Sequence, residues 1–167
     1  MSRPSFEISA LTAVDAATYN DFLRRGVLAH PDTLRISPGD LERTPFSTHD
    51  GPEGSTFVAR SPSGAWLGVA TVERESGREK RRHIAWVLRM YVLAEASGAG
   101  IGRTLLERAI ARARELPGVQ KCNLTVAAHN ERAVRLYAGL GFREFSREPD
   151  AFRDLEPRTE LTMSLFL

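Results

Sequence analysis

Ser97-Gly98-Ala99-Gly100-Ile101-Gly102-Arg103 separates an apolar run ending Met90-Tyr91-Val92 from an amphipathic segment that begins at Ile101. Glycines so closely spaced let a backbone take left-handed angles and approach a partner with no Cβ in the way. At the start of a helix such a backbone aims N–H groups outward, and the helix dipole adds positive potential at the same place. The stretch reads as a strand–turn–helix junction whose turn cradles a diphosphate. On the glycines alone, a flexible turn with no ligand is the competing reading.

Spacing sorts the diphosphate sites. A dinucleotide-binding turn needs G-x-G-x-x-G, but counted from Gly98 the third glycine falls on Arg103, and no acid stands about twenty residues on to hold a ribose. A P-loop needs Lys and then Ser or Thr after its last glycine, whereas Arg103 precedes Thr104 and the glycines lie too close together. Both readings fail on register.

Two patterns remain in step. Val92, Gly100 and Gly102 fit V-x-x-x-x-(Gln/Arg)-x-x-G-x-(Gly/Ala), and Asn130, Ala133, Leu136, Tyr137, Gly141 and Phe142 fit N-x-x-A-x-x-L-Y-x-x-x-G-F without a gap. The chain thereby resembles the GCN5-related N-acetyltransferases, in which the first pattern binds the diphosphate of acetyl-coenzyme A and the second follows it. Ser97 departs from the family, which usually has Gln or Arg there; its hydroxyl still offers one hydrogen bond, with the charge of Arg103 nearby.

The resemblance implies an α/β fold, a mixed and mostly antiparallel sheet flanked by helices, with residues 1–167 forming one acetyltransferase domain. It implies acetyl-coenzyme A as co-substrate and a primary amine, on a small molecule or a peptide, as acceptor. Attack is direct in a ternary complex, because no covalent nucleophile is evident. The coenzyme contacts it implies are Tyr91, Val92, Ser97, Gly98, Ala99, Gly100, Ile101, Gly102, Arg103, Asn130 and Tyr137. The pantetheine arm lies between the strand ending at Val92 and the strand around Leu124, borrowing strand hydrogen bonds as an added strand does. A main-chain N–H near Val92 polarises the thioester carbonyl, and the Tyr137 hydroxyl protonates the departing thiolate. Read without the resemblance, Tyr137 is one member of an apolar helical stripe, and Asn130 is a good helix N-cap.

The base that takes the ammonium proton is not singled out by spacing. Glu73 and His83 flank the hairpin that feeds the central strand and are the candidates, with Glu95 or a water chain also open. That gap and Ser97 keep a second reading alive, a non-catalytic acyl-coenzyme-binding regulatory module.

Composition narrows the rest. The chain has 167 residues, 42% of them hydrophobic, and a formal net charge of +2, which suits one domain with a real core and does not mark a nucleic-acid binder. Arg78, Lys80, Arg81 and Arg82 are interrupted by Glu79 and carry no interleaved aromatics, so they read as a solvated loop. One cysteine, Cys122, and scattered histidines give no metal-ligand spacing. Neither a leader at Met1 to Glu7 nor a membrane-spanning apolar run is evident, so the expectation is a cytoplasmic protein without nucleic-acid or membrane partners, monomeric or homodimeric.

Along the chain, Phe6 to Leu11 reads as a strand, and a helix from Thr12 or Asp15 carries Ala16, Tyr19, Phe22 and Leu23 on one face. Residues 30–54 break into short turns under four prolines and carry several acids, and in the resembled family such a segment walls the acceptor site. Thr56 to Arg60 and Ala65 to Glu73 form a hairpin about Ser61-Pro62-Ser63-Gly64. Ile84 to Val92 is apolar on both faces and reads as a central strand, with Ile84, Trp86, Leu88, Met90 and Val92 on one side and Ala85, Val87, Arg89 and Tyr91 on the other. A helix from Ile101 stops at Pro117-Gly118 and keeps Arg103, Arg108, Arg112, Arg114 and Glu115 on or near its wet side. Lys121 to Val126 is a strand that buries Cys122, Asn130 caps a helix ending at Gly141, and Phe142 to Phe145 and Leu161 to Leu167 are the last strands.

Overall fold

The apolar segment ending at Val92 becomes the strand around which the sheet is built. The computed structural model describes residues 5–167; Met1 to Pro4, part of the segment read as free of a leader, lie outside the described residues. In chain order the elements are β1 (Glu7–Ala10), α1 (Ala16–Ala29), α2 (Pro38–Arg43), β2 (Asp50–Gly51), β3 (Gly54–Arg60), β4 (Trp66–Arg74), β5 (Ile84–Val92), α3 (Ile101–Glu115), β6 (Lys121–Ala127), α4 (Glu131–Gly139), β7 (Arg143–Arg153) and β8 (Pro157–Phe166). The strands run in the order β1-β3-β4-β5-β6-β8-β7, with β2 beside β3. Among the described residues every pairing is antiparallel except β5 with β6. This is the mixed, mostly antiparallel sheet that the sequence implied.

Each face of the sheet has its own core. Leu105, Leu106, Ala109 and Ala113 form the buried stripe of α3, and they pack with Phe57, Ala70, Val72 and Val87 from the strands and Phe142 beyond α4. On the opposite face α1 presents Tyr19, Phe22, Leu23 and Val27 to Val58, Val69 and Tyr91. Burial of each Leu, Val or Phe side chain among these favours folding by about 1.5–3 kcal/mol. Where α1 crosses Tyr91 it carries Gly26, because a Cβ there would lie 2.8 Å from the ring.

The faces of β5 differ from simple alternation. Val69 pairs with Tyr91 but Thr71 pairs with Leu88, so β5 holds one residue more than β4 over this span, and Arg89 sits at a φ of 50°. This bulge inverts the parity of the strand beyond it. Ala85 and Val87 share the α3 face with Met90 and Val92, whereas Arg89 and Tyr91 turn toward α1.

Three other expectations need correction. Arg112 does not stay on the wet side of α3; its Nε donates to Ser55 Oγ at 3.0 Å and its Nη2 to the Gly51 carbonyl at 2.7 Å, tying the helix to the β2–β3 turn. α4 ends at Gly139, and Gly141 takes a φ of 99° beyond it. The last two strands form a much longer hairpin than expected, because β7 is an exposed edge strand whose charged residues hide its alternation from a hydrophobicity reading.

A close approach at the start of β3 gives a test of the packing. A Cβ on Gly54 would lie 2.2 Å from the Val72 carbonyl oxygen, while one on Gly51 would meet nothing within 4 Å. Gly54→Ala is expected to cost about 1–3 kcal/mol in chemical denaturation, and Gly51→Ala no more than about 0.5 kcal/mol. Equal stability of the two variants would contradict the register of β3 on β4.

Candidate functional site

β5 and β6 are hydrogen-bonded neighbours for only part of their length. They pair where Ile84, Ala85 and Trp86 meet Lys121, Cys122 and Asn123. Beyond that each stays paired on its outer edge, β5 with β4 and β6 with β8, while their inner edges diverge. The bulge at Arg89 lies in the diverging part of β5. A cleft of about 710 Å³ opens there, lined by residues 87–92 of β5 and 124–127 of β6, by the glycine turn, and by side chains of α4 and the segment following α1.

The glycine turn forms one end of this cleft. Gly98 and Gly100 have φ of 88° and 87°, and Gly100 is the N-cap of α3 without any side-chain cap. The first helical hydrogen bond runs from Thr104 N to the Gly100 carbonyl. No described residue accepts a hydrogen bond from the main-chain N–H groups of Gly98 through Arg103. A Cβ at Gly98 or Gly100 would point into open space, so glycine is required there by conformation and not by crowding. At Gly102 a Cβ would meet Met90, Leu136 and Val92 at 3.4–3.7 Å, ordinary van der Waals contact, so neither conformation nor crowding requires glycine there. Ser97, Ile101 and Arg103 also line the cleft, Arg103 paired with Glu107; Ala99 packs toward the core beneath the turn.

α4 supplies the opposite wall. Asn130 caps it, accepting from Ala133 N at 3.3 Å through Oδ1, and its Nδ2 has no described partner on the cleft side. Tyr137 is 8% exposed; its ring packs on Phe142 and its hydroxyl reaches Met90 Sδ at 3.9 Å. Burial pushes this phenol up to about 12, so it holds its proton at neutral pH. Cys122 is buried away from the cleft lining, and burial pushes its thiol up to about 12 as well, which disables it as a nucleophile. Among the described residues no group of His, Cys, Asp and Glu is arranged to hold a metal ion.

At the end of the cleft nearest α1, charged groups gather to which spacing assigns no role. Arg89 donates from Nε to the Tyr19 hydroxyl at 3.1 Å and from Nη2 to Glu73 Oε1 at 2.8 Å, and its guanidinium lies 4.3 Å from the centroid of the Phe46 ring. Glu160, on β8, is buried in the cleft and receives Arg35 Nη1 at 2.8 Å. Burial raises the Glu160 carboxyl above the ordinary range, and Arg35 opposes that rise. Arg35 and the Asp32–His129 contact at 3.1 Å tie the segment after α1 across to β8 and to the turn before α4.

The candidate bases lie apart. Glu73 borders the site only through Arg89, and it does not line the cleft. His83 precedes β5 at the end away from the glycine turn, where its carbonyl accepts from Gln120 N and Lys121 N; its side chain faces a separate surface hollow. Glu95 is exposed on the short turn after β5. Tyr91 and Val92 do line the cleft. Spacing misses Glu160 because the acid lies far beyond the glycine turn in the chain, on a strand whose alternation merely places it opposite Leu161; only the β6–β8 pairing, Ala127 with Glu160, brings it to the cleft.

The acetyltransferase (GNAT) family model matches residues 19–142. The chain is 29% identical over 147 residues to a mycothiol acetyltransferase of Propionibacterium freudenreichii, an alignment covering 85% of this chain and 42% of that protein. A mycothiol acetyltransferase of Frankia casuarinae is 32% identical over 151 residues, covering 87% of this chain and 41% of that one. The chain thus spans about two-fifths of the length of these relatives. A GCN5-related N-acetyltransferase of Kribbella flavida superposes with a TM-score of 0.82 at 26% identity, covering 99% of this chain and 100% of that one. The yncA protein of Salmonella typhimurium, solved with its cofactor acetyl-CoA, has the same fold, with a TM-score of 0.79 at 19% identity over 98% of this chain and 94% of that one.

Gly100→Val replaces a left-handed glycine with a β-branched residue that strongly avoids that conformation. The expected result, by isothermal titration calorimetry, is a loss of acetyl-coenzyme A affinity of about tenfold or more in a variant that still unfolds cooperatively. Unchanged affinity would show that the turn does not hold the coenzyme.

Proposed function

This chain belongs to the acetyltransferase (GNAT) family, and from that premise we propose that it moves an acetyl group from acetyl-coenzyme A to a primary amine by direct attack in a ternary complex. The observation that carries the reading is the run of unpartnered N–H groups from Gly98 to Arg103, beside a cleft that also holds the Tyr137 hydroxyl. Such a run at a helix start suits a diphosphate, whose oxygens accept hydrogen bonds and whose negative charge is attracted by the positive end of the helix dipole. The coenzyme, when bound, supplies an acetyl group activated as a thioester.

The protein's own groups then divide the work. The diverging inner edges of β5 and β6 offer strand hydrogen bonds to an extended arm. A main-chain N–H near Val92 supports the carbonyl oxygen, an effect of about 3 kcal/mol when the donor is held in place. Glu160 takes a proton from the incoming ammonium, leaving a neutral amine to form the new C–N bond. As the C–S bond breaks, Tyr137 gives its proton to the departing sulfur, and the second proton that the nitrogen sheds on becoming an amide restores the phenol. A thiol and an amide are the products, and no covalent enzyme intermediate is required.

Tyr137→Phe is expected to lower turnover by about 10²-fold with little loss of coenzyme affinity, measured by thiol release and calorimetry. Full activity would remove the proton-donor role. For Glu160 the sign follows from its raised carboxyl: the base form is lost as pH falls through a value above the ordinary carboxylate range, so kcat/KM declines on that acidic limb. Glu160→Gln should lower kcat/KM by about 10²-fold and abolish this limb; an unchanged limb would assign the base elsewhere. Coenzyme binding without thiol release across a broad amine panel would favour the regulatory-module reading instead.

A further inference from the structure

We infer that the acceptor is a small primary amine that also bears a carboxylate on a short tether, the carboxylate held by Arg89 and the amine presented to Glu160. This rests on the transferase reading and adds the chemical class of its acceptor. Arg89 lines the cleft from the bulge of β5, at a left-handed φ of 50° that an arginine adopts only when its surroundings impose it. Those surroundings come from four separate segments. Tyr19 of α1 accepts from Nε, Glu73 of β4 accepts from Nη2, Phe46 stacks on the guanidinium plane, and the bulge itself inverts the strand so that residue 89 faces this end.

Tyr19 is in turn fixed. Its hydroxyl shares a hydrogen bond with Thr71 Oγ1 at 3.0 Å, and Thr71 Oγ1 donates to Thr56 Oγ1 at 3.4 Å, which leaves Thr71 to accept from Tyr19. All of these supports act on Nε, Nη2 and the ring-facing plane. No described residue accepts from Nη1. A guanidinium clamped on every side but one is a preorganised oxyanion donor, and little ordering entropy remains to be lost when a carboxylate arrives.

Charge around the cleft argues the same way. Its ionisable lining residues include Arg35, Arg89, Arg103, Arg132 and Glu160, a single carboxylate among arginines. A polyamine would find one lining carboxylate for its several ammonium groups. A molecule carrying one ammonium and one carboxylate matches it, with Glu160 for the first and Arg89 for the second. Arg35 is half exposed, whereas its partner Glu160 is 6% exposed, so an arriving ammonium can replace the arginine without unburying the carboxylate. If Arg89 only fastened α1 to the sheet, nothing would require it to line the cleft as well.

The test uses the whole protein with acetyl-coenzyme A and matched acceptor pairs, each a short amino acid and the same amine with the carboxylate removed, in α-, β- and γ-amino series. Thiol release gives kcat and KM for each. The expected result is a preference of about tenfold or more for the carboxylate-bearing member of at least one pair, and a collapse of that preference in Arg89→Gln through a rise in KM for that member. Arg89→Lys, which keeps the charge but not the fork, should retain part of it. A wild-type preference for the carboxylate-free amines, or an Arg89→Gln variant of undiminished coenzyme affinity that keeps the wild-type ratio, would overturn the inference while leaving the transferase reading intact. Thiol release with no member of any pair would overturn it together with the small-amine acceptor; if coenzyme also failed to bind, the transferase reading itself would fall.

Discussion

Two neighbouring strands that stop pairing halfway along their length leave main-chain hydrogen-bonding groups on facing edges, and the rest of this site depends on that separation. β5 and β6 meet only through three residues each before they diverge. Groups on such edges must be satisfied by solvent or by something extended enough to imitate a strand. The separation survives because each strand is held on its other side, β5 by β4 and β6 by β8, and because the cores of α3 and α1 grip the sheet from both faces.

The bulge at Arg89 connects the separation to chemistry. One extra residue in β5 turns the strand, moves Met90 and Val92 to the α3 face and brings Arg89 and Tyr91 to the α1 face. The same short segment therefore serves two ends of one cleft. Toward the glycine turn it backs one end of the cleft; toward α1 it carries the guanidinium that Tyr19, Glu73 and Phe46 hold still. Packing thereby sets electrostatics, since the buried Glu160 and the clamped Arg89 are positioned by neighbours drawn from α1, β4 and the segment after α1.

Most of the fold and half of the site are legible in local features of the chain. The glycine turn, the α3 stripe and the Asn130 to Phe142 pattern are contiguous, so spacing alone displays them. The end of the cleft nearest α1 is not contiguous: Tyr19, Arg35, Phe46, Arg89 and Glu160 meet only through strand register and the return of β8 beside β6. A bulge leaves no mark in a hydrophobic pattern that is apolar on both faces, which is why alternation assigns Met90 and Tyr91 to the wrong sides. Helical periodicity misplaces Arg112 for a related reason, since its position is outward while its long side chain folds back to Ser55 and Gly51.

The most direct measurement is residue-resolved hydrogen exchange of the main-chain amides with and without acetyl-coenzyme A. Protection gained at Gly98 to Arg103 and along the diverging part of β5, with β1 and β7 unchanged, is the outcome this account predicts. Exchange at those amides that the coenzyme leaves unaltered would contradict it.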